Sequence, residues 1–125
     1  MNNQGDIMPR YSLFIDDERF PPRDGRNWVI ARNMHDVLMM LRIHGMPGYV
    51  SFDHDLGENE KTGYDIAKLL VDLDMNGDSD FALPVEFKFY VHSQNPIGKA
   101  NIEHYLDNYL RFKGVDTNGT LGLAL

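Results

Sequence analysis

Three short apolar runs in this chain end in side chains capable of chemistry. Val50–Gly57 reads V-S-F-D-H-D-L-G and delivers Asp53, His54 and Asp55 at the mouth of a buried-strand pattern. Tyr11–Arg19 (Y-S-L-F-I-D-D-E-R) ends in Asp16 and Asp17, with Arg19 close behind, and Lys88–Asn95 (K-F-Y-V-H-S-Q-N) ends in His92, Ser93, Gln94 and Asn95. Adjacent carboxylates repel unless a cation or a shared proton relieves them, so Asp16, Asp17 and Asp53 are the candidate ligands of a hard divalent ion, Mg2+ or Mn2+. His54 and His92 can supply an acid and a base at neutral pH. Ser93, Gln94 and Asn95 can hold phosphate oxygens, as can Lys99 and Arg19. The N-terminus of a helix starting at Pro96 would add its amides to them. Asp55 has three open roles: orienting an imidazole, binding a metal through water, or facing solvent. His35, His44 and His104 lie in helical patterns without acidic company and read as surface or partly packed.

Such a site requires the three runs to lie side by side with their C-terminal ends together. The pattern between them provides for this. Tyr11–Ile15, Asn27–Ala31, Tyr49–Phe52 and Val85–Val91 read as strands. Helices alternate with them. Asn33 caps Met34–His44, with Met34, Val37, Leu38 and Leu41 on one face and Gly45 as the stop. Thr62–Asp65 is a capping box that opens a helix with Ile66, Leu69, Leu70 and Leu73 as its stripe. Asn95-Pro96 starts a third, carrying Ile102, Tyr105, Leu106, Tyr109 and Leu110. Phe20–Gly25, with two prolines, is a loop. Asp72–Asp80 reads as a solvated turn; its acidic spacing imitates half of an EF-hand loop, but Leu83 stands where glutamate is required. Strand–helix alternation predicts an α/β fold: a mostly parallel sheet of about four strands, order 2-1-3-4, flanked by helices.

Composition sets the outer bounds. One domain is expected over residues 1–125, with its core at about 11–112, a frayed start and a tail from Val115 of unassigned role. There is no cysteine, which excludes disulfides and thiolate chemistry and fits a cytoplasmic location. No run is long enough to span a membrane, and the polar start is unlike a signal peptide. A net charge of −7 opposes broad binding to nucleic-acid backbones but not capture of one small phosphate beside a cation.

Asp16-Asp17, Asp53 and Ser93 resemble the phosphoacceptor site of receiver domains. The chain leaves no room for the usual fifth strand with its phosphate-binding lysine. Closer still is the resemblance to cyclic-phosphate processing receiver domains of bacteria and bacteriophages. It is carried by Leu13–Pro21 (L-F-I-D-D-E-R-F-P), Ser51–Gly57 (S-F-D-H-D-L-G), Thr62–Asp65 (T-G-Y-D) and Val91–Glu103 (V-H-S-Q-N-P-I-G-K-A-N-I-E). That resemblance implies a truncated receiver-like sheet and processing of cyclic phosphates on a small phosphorylated substrate or an RNA end. The expectation is therefore a metal-assisted phosphoesterase. Two alternatives stand beside it: a degenerate receiver that takes phosphate on Asp53 for signalling, and a non-catalytic nucleotide- or protein-binding factor.

Overall fold

The computed structural model describes residues 10–114. Four strands, β1 (Ser12–Ile15), β2 (Trp28–Ala31), β3 (Tyr49–Phe52) and β4 (Lys88–Val91), form one sheet in the order β2-β1-β3-β4. Every pairing is parallel, and Ile15 lies level with Ala31 on one side and Phe52 on the other. The helices are α1 (Met34–His44), α2 (Gly63–Met75) and α3 (Pro96–Lys113). The expected receiver-like α/β architecture and strand order are both present.

Local sequence sets the helix starts. The Asn33 side chain accepts from the Asp36 amide, and Thr62 and Asp65 satisfy each other's backbone in a complete capping box. Asn95 caps α3 by accepting from Gly98, with proline at the first helical position. Strand alternation then divides the side chains between two faces. Leu13, Ile15, Val50, Phe52 and Val91 point to one face and join Val37, Leu41, Ile66, Leu70, Ile102 and Leu106 in a single core. All three helices pack there.

Among the described residues, the other face carries no helix. Steps from β2 to β3 and from β3 to β4 run in one direction across the sheet, so right-handed crossovers place their helices on one side. The step from β1 to β2 runs the opposite way and crosses the opposite side. Its connection is the proline-containing loop after Asp16, too irregular to cover that face. Phe14, Trp28, Tyr49 and Tyr90 consequently line an open cavity there with Phe20 and Pro22 of the loop.

Two expectations need correction. The stretch Asp72–Asp80 is not simply a solvated turn: α2 continues through it to Met75, and a 3-10 turn follows at Ser79–Phe81. The reason is Asp74, whose carboxylate is almost fully covered and accepts hydrogen bonds from the Leu83 amide, the Tyr109 hydroxyl and Lys113 Nζ. The fourth strand begins at Lys88 rather than Val85, because a turn closed by Phe87 N–H to Pro84 C=O buries Phe87 first. The frayed start and the tail from Val115 lie outside the described residues.

Candidate functional site

Sheet hydrogen bonding runs one residue past the end of three strands. The amides of Asp16, Asp53 and His92 donate to Ala31, Ile15 and Phe52, the last residues of the neighbouring strands, at 3.2, 2.9 and 2.9 Å. Three side chains from separate parts of the sequence are thereby fixed at one edge of the sheet. One ligand atom from each of Asp16, Asp53 and His92 lies within 4.8 Å of the others. Asp16 is completely buried, and the other two are partly covered.

Each member has its own support. Asp16 Oδ1 accepts the amides of Glu18 (2.9 Å) and Arg19 (2.8 Å), while its Oδ2 lies 2.9 Å from His92 Nε2. Burial pushes the Asp16 carboxyl upward, but these amides and the imidazole outweigh it and hold the group below its ordinary range. Asp53 goes the other way. Burial, and then the charge of Asp16, raise its pKa against the opposing pull of the His54 amide, His92 and the Ser93 hydroxyl. Two crowded carboxylates with an imidazole nitrogen form a donor set suited to a divalent cation, which would relieve their repulsion.

His92 is held from both sides. Its Nδ1 is 2.8 Å from Ser51 Oγ, and its ring stacks on Phe14 with centroids 4.8 Å apart and planes 2° from parallel. Neither Ser51 nor Arg32 stands out in the sequence. An unexplained hydroxyl inside the apolar run Y-V-S-F is the available signal for Ser51. Arg32 Nη1 donates to the carbonyls of Asp16 and Arg19 and pins the turn between them to the end of β2.

A polar cleft of about 470 Å³ opens at this edge, lined by Asp17, Glu18, Arg19, Asp53, Asp55, Gly57 and Gln94. Asp17 is exposed on its wall and does not join the buried trio. Asp55 Oδ1 meets His54 Nδ1 at 3.1 Å, and its Oδ2 accepts from Asn95 Nδ2 at 3.2 Å. His54 itself does not line the cleft. Its ring lies against the first turn of α3, where a Cβ on Gly98 would collide with His54 Cγ. Alternation explains the separation: Ser51 and Asp53 share one side of the strand, Phe52 and His54 the other.

The expected cluster of free amides at the start of α3 is reduced by its own cap. Asn95 takes the Gly98 amide with Oδ1 and the Lys99 amide with its carbonyl. Lys99 is not part of the cleft wall, and Ser93 is represented there through Asp53 and through the Asn95 amide it accepts. His35, His44 and His104 are exposed, as expected.

Residues 11–108 match the family described as the cyclic-phosphate processing receiver domain. The chain belongs to that family. No curated protein and no solved structure matches it. Within this receiver domain, the matched span contains every residue of the trio and the whole cleft wall. No helix among the described residues is long and apolar enough to cross a membrane.

Proposed function

We propose that this receiver domain is a metal-assisted phosphoesterase that opens cyclic phosphates by hydrolysis. The observation that carries the proposal is the convergence of Asp16, Asp53 and His92 within 4.8 Å beside an open polar cleft. These three would hold a divalent cation, whose charge would neutralise phosphoryl oxygens as negative charge builds on them. The imidazole favours Mn2+ over Mg2+, since magnesium prefers an all-oxygen shell.

The chain's own groups divide the remaining work. Arg19, Ser93 and Gln94 bind the phosphoryl oxygens, and Asp17 adds negative charge that draws the cation in. Asp55 stands on the cleft wall, braced by His54 and Asn95, and accepts a proton from the attacking water. A new bond forms between the water oxygen and phosphorus, one ring ester bond breaks, and the departing alkoxide is protonated from solvent. The product is a phosphate monoester.

Chromatography of 2′,3′-cyclic nucleotides and a sugar cyclic phosphate after incubation with Mn2+ tests this. Monoester formation abolished by a chelator is expected. Labelling of Asp53 by acetyl phosphate with every cyclic substrate intact would replace the proposal with the signalling alternative.

A further inference from the structure

The sheet face opposite the three helices is not a plain apolar surface. Its rings form a row leading to the buried acids: Tyr49 to Trp28 with centroids 5.8 Å apart, Trp28 to Phe14 at 5.6 Å, Phe14 to His92 at 4.8 Å. His92 Nε2 then lies 2.9 Å from Asp16. Along this row runs the cavity of about 450 Å³, a volume in the range of small-ligand sites. Tyr90 and Phe20 flank it and are 55% and 76% exposed. We infer that this cavity is the base-binding subsite of the enzyme, taking the planar ring of a nucleoside whose cyclic phosphate sits at the Asp16–Asp53–His92 trio.

The inference rests on the phosphoesterase reading and narrows its substrate from any cyclic phosphate to one that carries a base. Three observations favour a nucleobase. The lining is mostly aromatic, and aromatic rings stack on any base and discriminate poorly among them. The same imidazole lines the aromatic cavity and belongs to the trio, so the two sites adjoin at His92. The polar groups are few and already placed: Asp24 accepts from Trp28 Nε1 at 2.9 Å, and the Arg26 guanidinium lies 4.0 Å over the Tyr49 ring. The first contact orients the indole, and the second covers one face of the Tyr49 ring, which leaves Trp28 and Tyr90 as the rings that would meet a base. A sugar phosphate without a base would leave the whole panel wet.

Trp28 is the chain's one tryptophan, so its fluorescence reports on this cavity without labelling. The experiment titrates the full chain with adenosine 2′,3′-cyclic phosphate, with adenosine alone and with ribose cyclic phosphate lacking a base. Monoester formation from the two cyclic compounds is followed in parallel. The expected result is saturable quenching by both adenosine compounds and none by the abasic one, with kcat/KM at least 10-fold higher for the nucleotide. Tyr90→Ala, at an exposed position, should weaken quenching about 10-fold while the circular dichroism spectrum is unchanged. Equal turnover of nucleotide and abasic substrate without quenching overturns the subsite and leaves the phosphoesterase intact. Quenching without turnover keeps the cavity as a nucleoside-binding site but removes the enzyme reading, and with it the cavity's role as a substrate subsite. Self-association in sedimentation that Tyr90→Ala abolishes, with no quenching by adenosine, would assign the face to a second copy and overturn the inference.

Discussion

His92 Nε2 and Asp16 Oδ2 meet at 2.9 Å although 76 positions separate them in the chain. Both side chains reach that point because their amides are pinned to the last residues of neighbouring strands. With Ser51 on Nδ1 and Phe14 under the ring, the imidazole has a fixed place and two polar partners. Removing it should be costly twice over. His92→Ala is expected to lower turnover of a cyclic phosphate by about 100-fold or more. It should also destabilise the fold by about 1–3 kcal/mol, since Asp16 and Ser51 lose a partner in a buried setting. Steady-state rates and urea denaturation check the two effects separately.

Ser51 acts through His92. Its hydroxyl lies on the far side of the imidazole from the acids and fixes the ring's orientation. Ser51→Ala should therefore weaken Mn2+ binding by about 10-fold, read by calorimetry, while costing only about 1 kcal/mol of stability. Unchanged metal affinity would reduce the contact to packing.

Much of this site is legible in the sequence, and the part that is not has a physical cause. V-S-F-D-H-D-L-G and its two counterparts mark strand ends, because apolar runs that stop in acids and imidazoles fit poorly in a core. The same runs set His54 beside Asp53 as if the two worked on one face. Period-2 alternation sends them to opposite faces, and Gly98 shows where His54 goes. Asp17 likewise turns outward while Asp16 turns in. The acidic stretch around Asp74 reads as solvated turn because its partners, Tyr109 and Lys113, lie 35 and 39 positions away. The sheet face opposite the helices follows from chain direction and from a β1–β2 connection that forms no helix, which periodicity within any one segment does not report.

Asp74 gives a pH-dependent prediction away from the site. Burial raises its pKa, but Lys113, Tyr109 and the Leu83 amide outweigh this and hold the carboxyl below its ordinary 3.8. A depressed carboxyl stabilises the fold above its unfolded value and loses that contribution as pH falls through the folded one. Asp74→Asn should cost about 2 kcal/mol at pH 7, and the gap to wild type should close below pH 3.8. Denaturant midpoints measured across that range test the sign. A gap that widens in acid contradicts the assignment.

Gly98→Ala probes the junction between His54 and α3. Alanine ordinarily favours a helix by about 1 kcal/mol over glycine. Here its methyl carbon would collide with His54 Cγ, so the sign should reverse to a loss of about 1–3 kcal/mol. Activity should fall with it, because the displaced ring no longer braces Asp55. A stabilised Gly98→Ala protein would show that the ring is free to move away.

In the proposed function, Asp16, Asp53 and His92 act together with a divalent cation to add water to a cyclic phosphate. Phosphorus NMR in 18O-enriched water, with a 2′,3′-cyclic nucleotide and Mn2+ added catalytically, tests it most directly. The expected result is loss of the cyclic signal and growth of a monoester signal carrying the isotope shift of one 18O. Both changes should vanish with Asp53→Asn, with His92→Ala and after chelation. A cyclic signal that persists unchanged in the wild type, or a conversion that survives all three treatments, would contradict it.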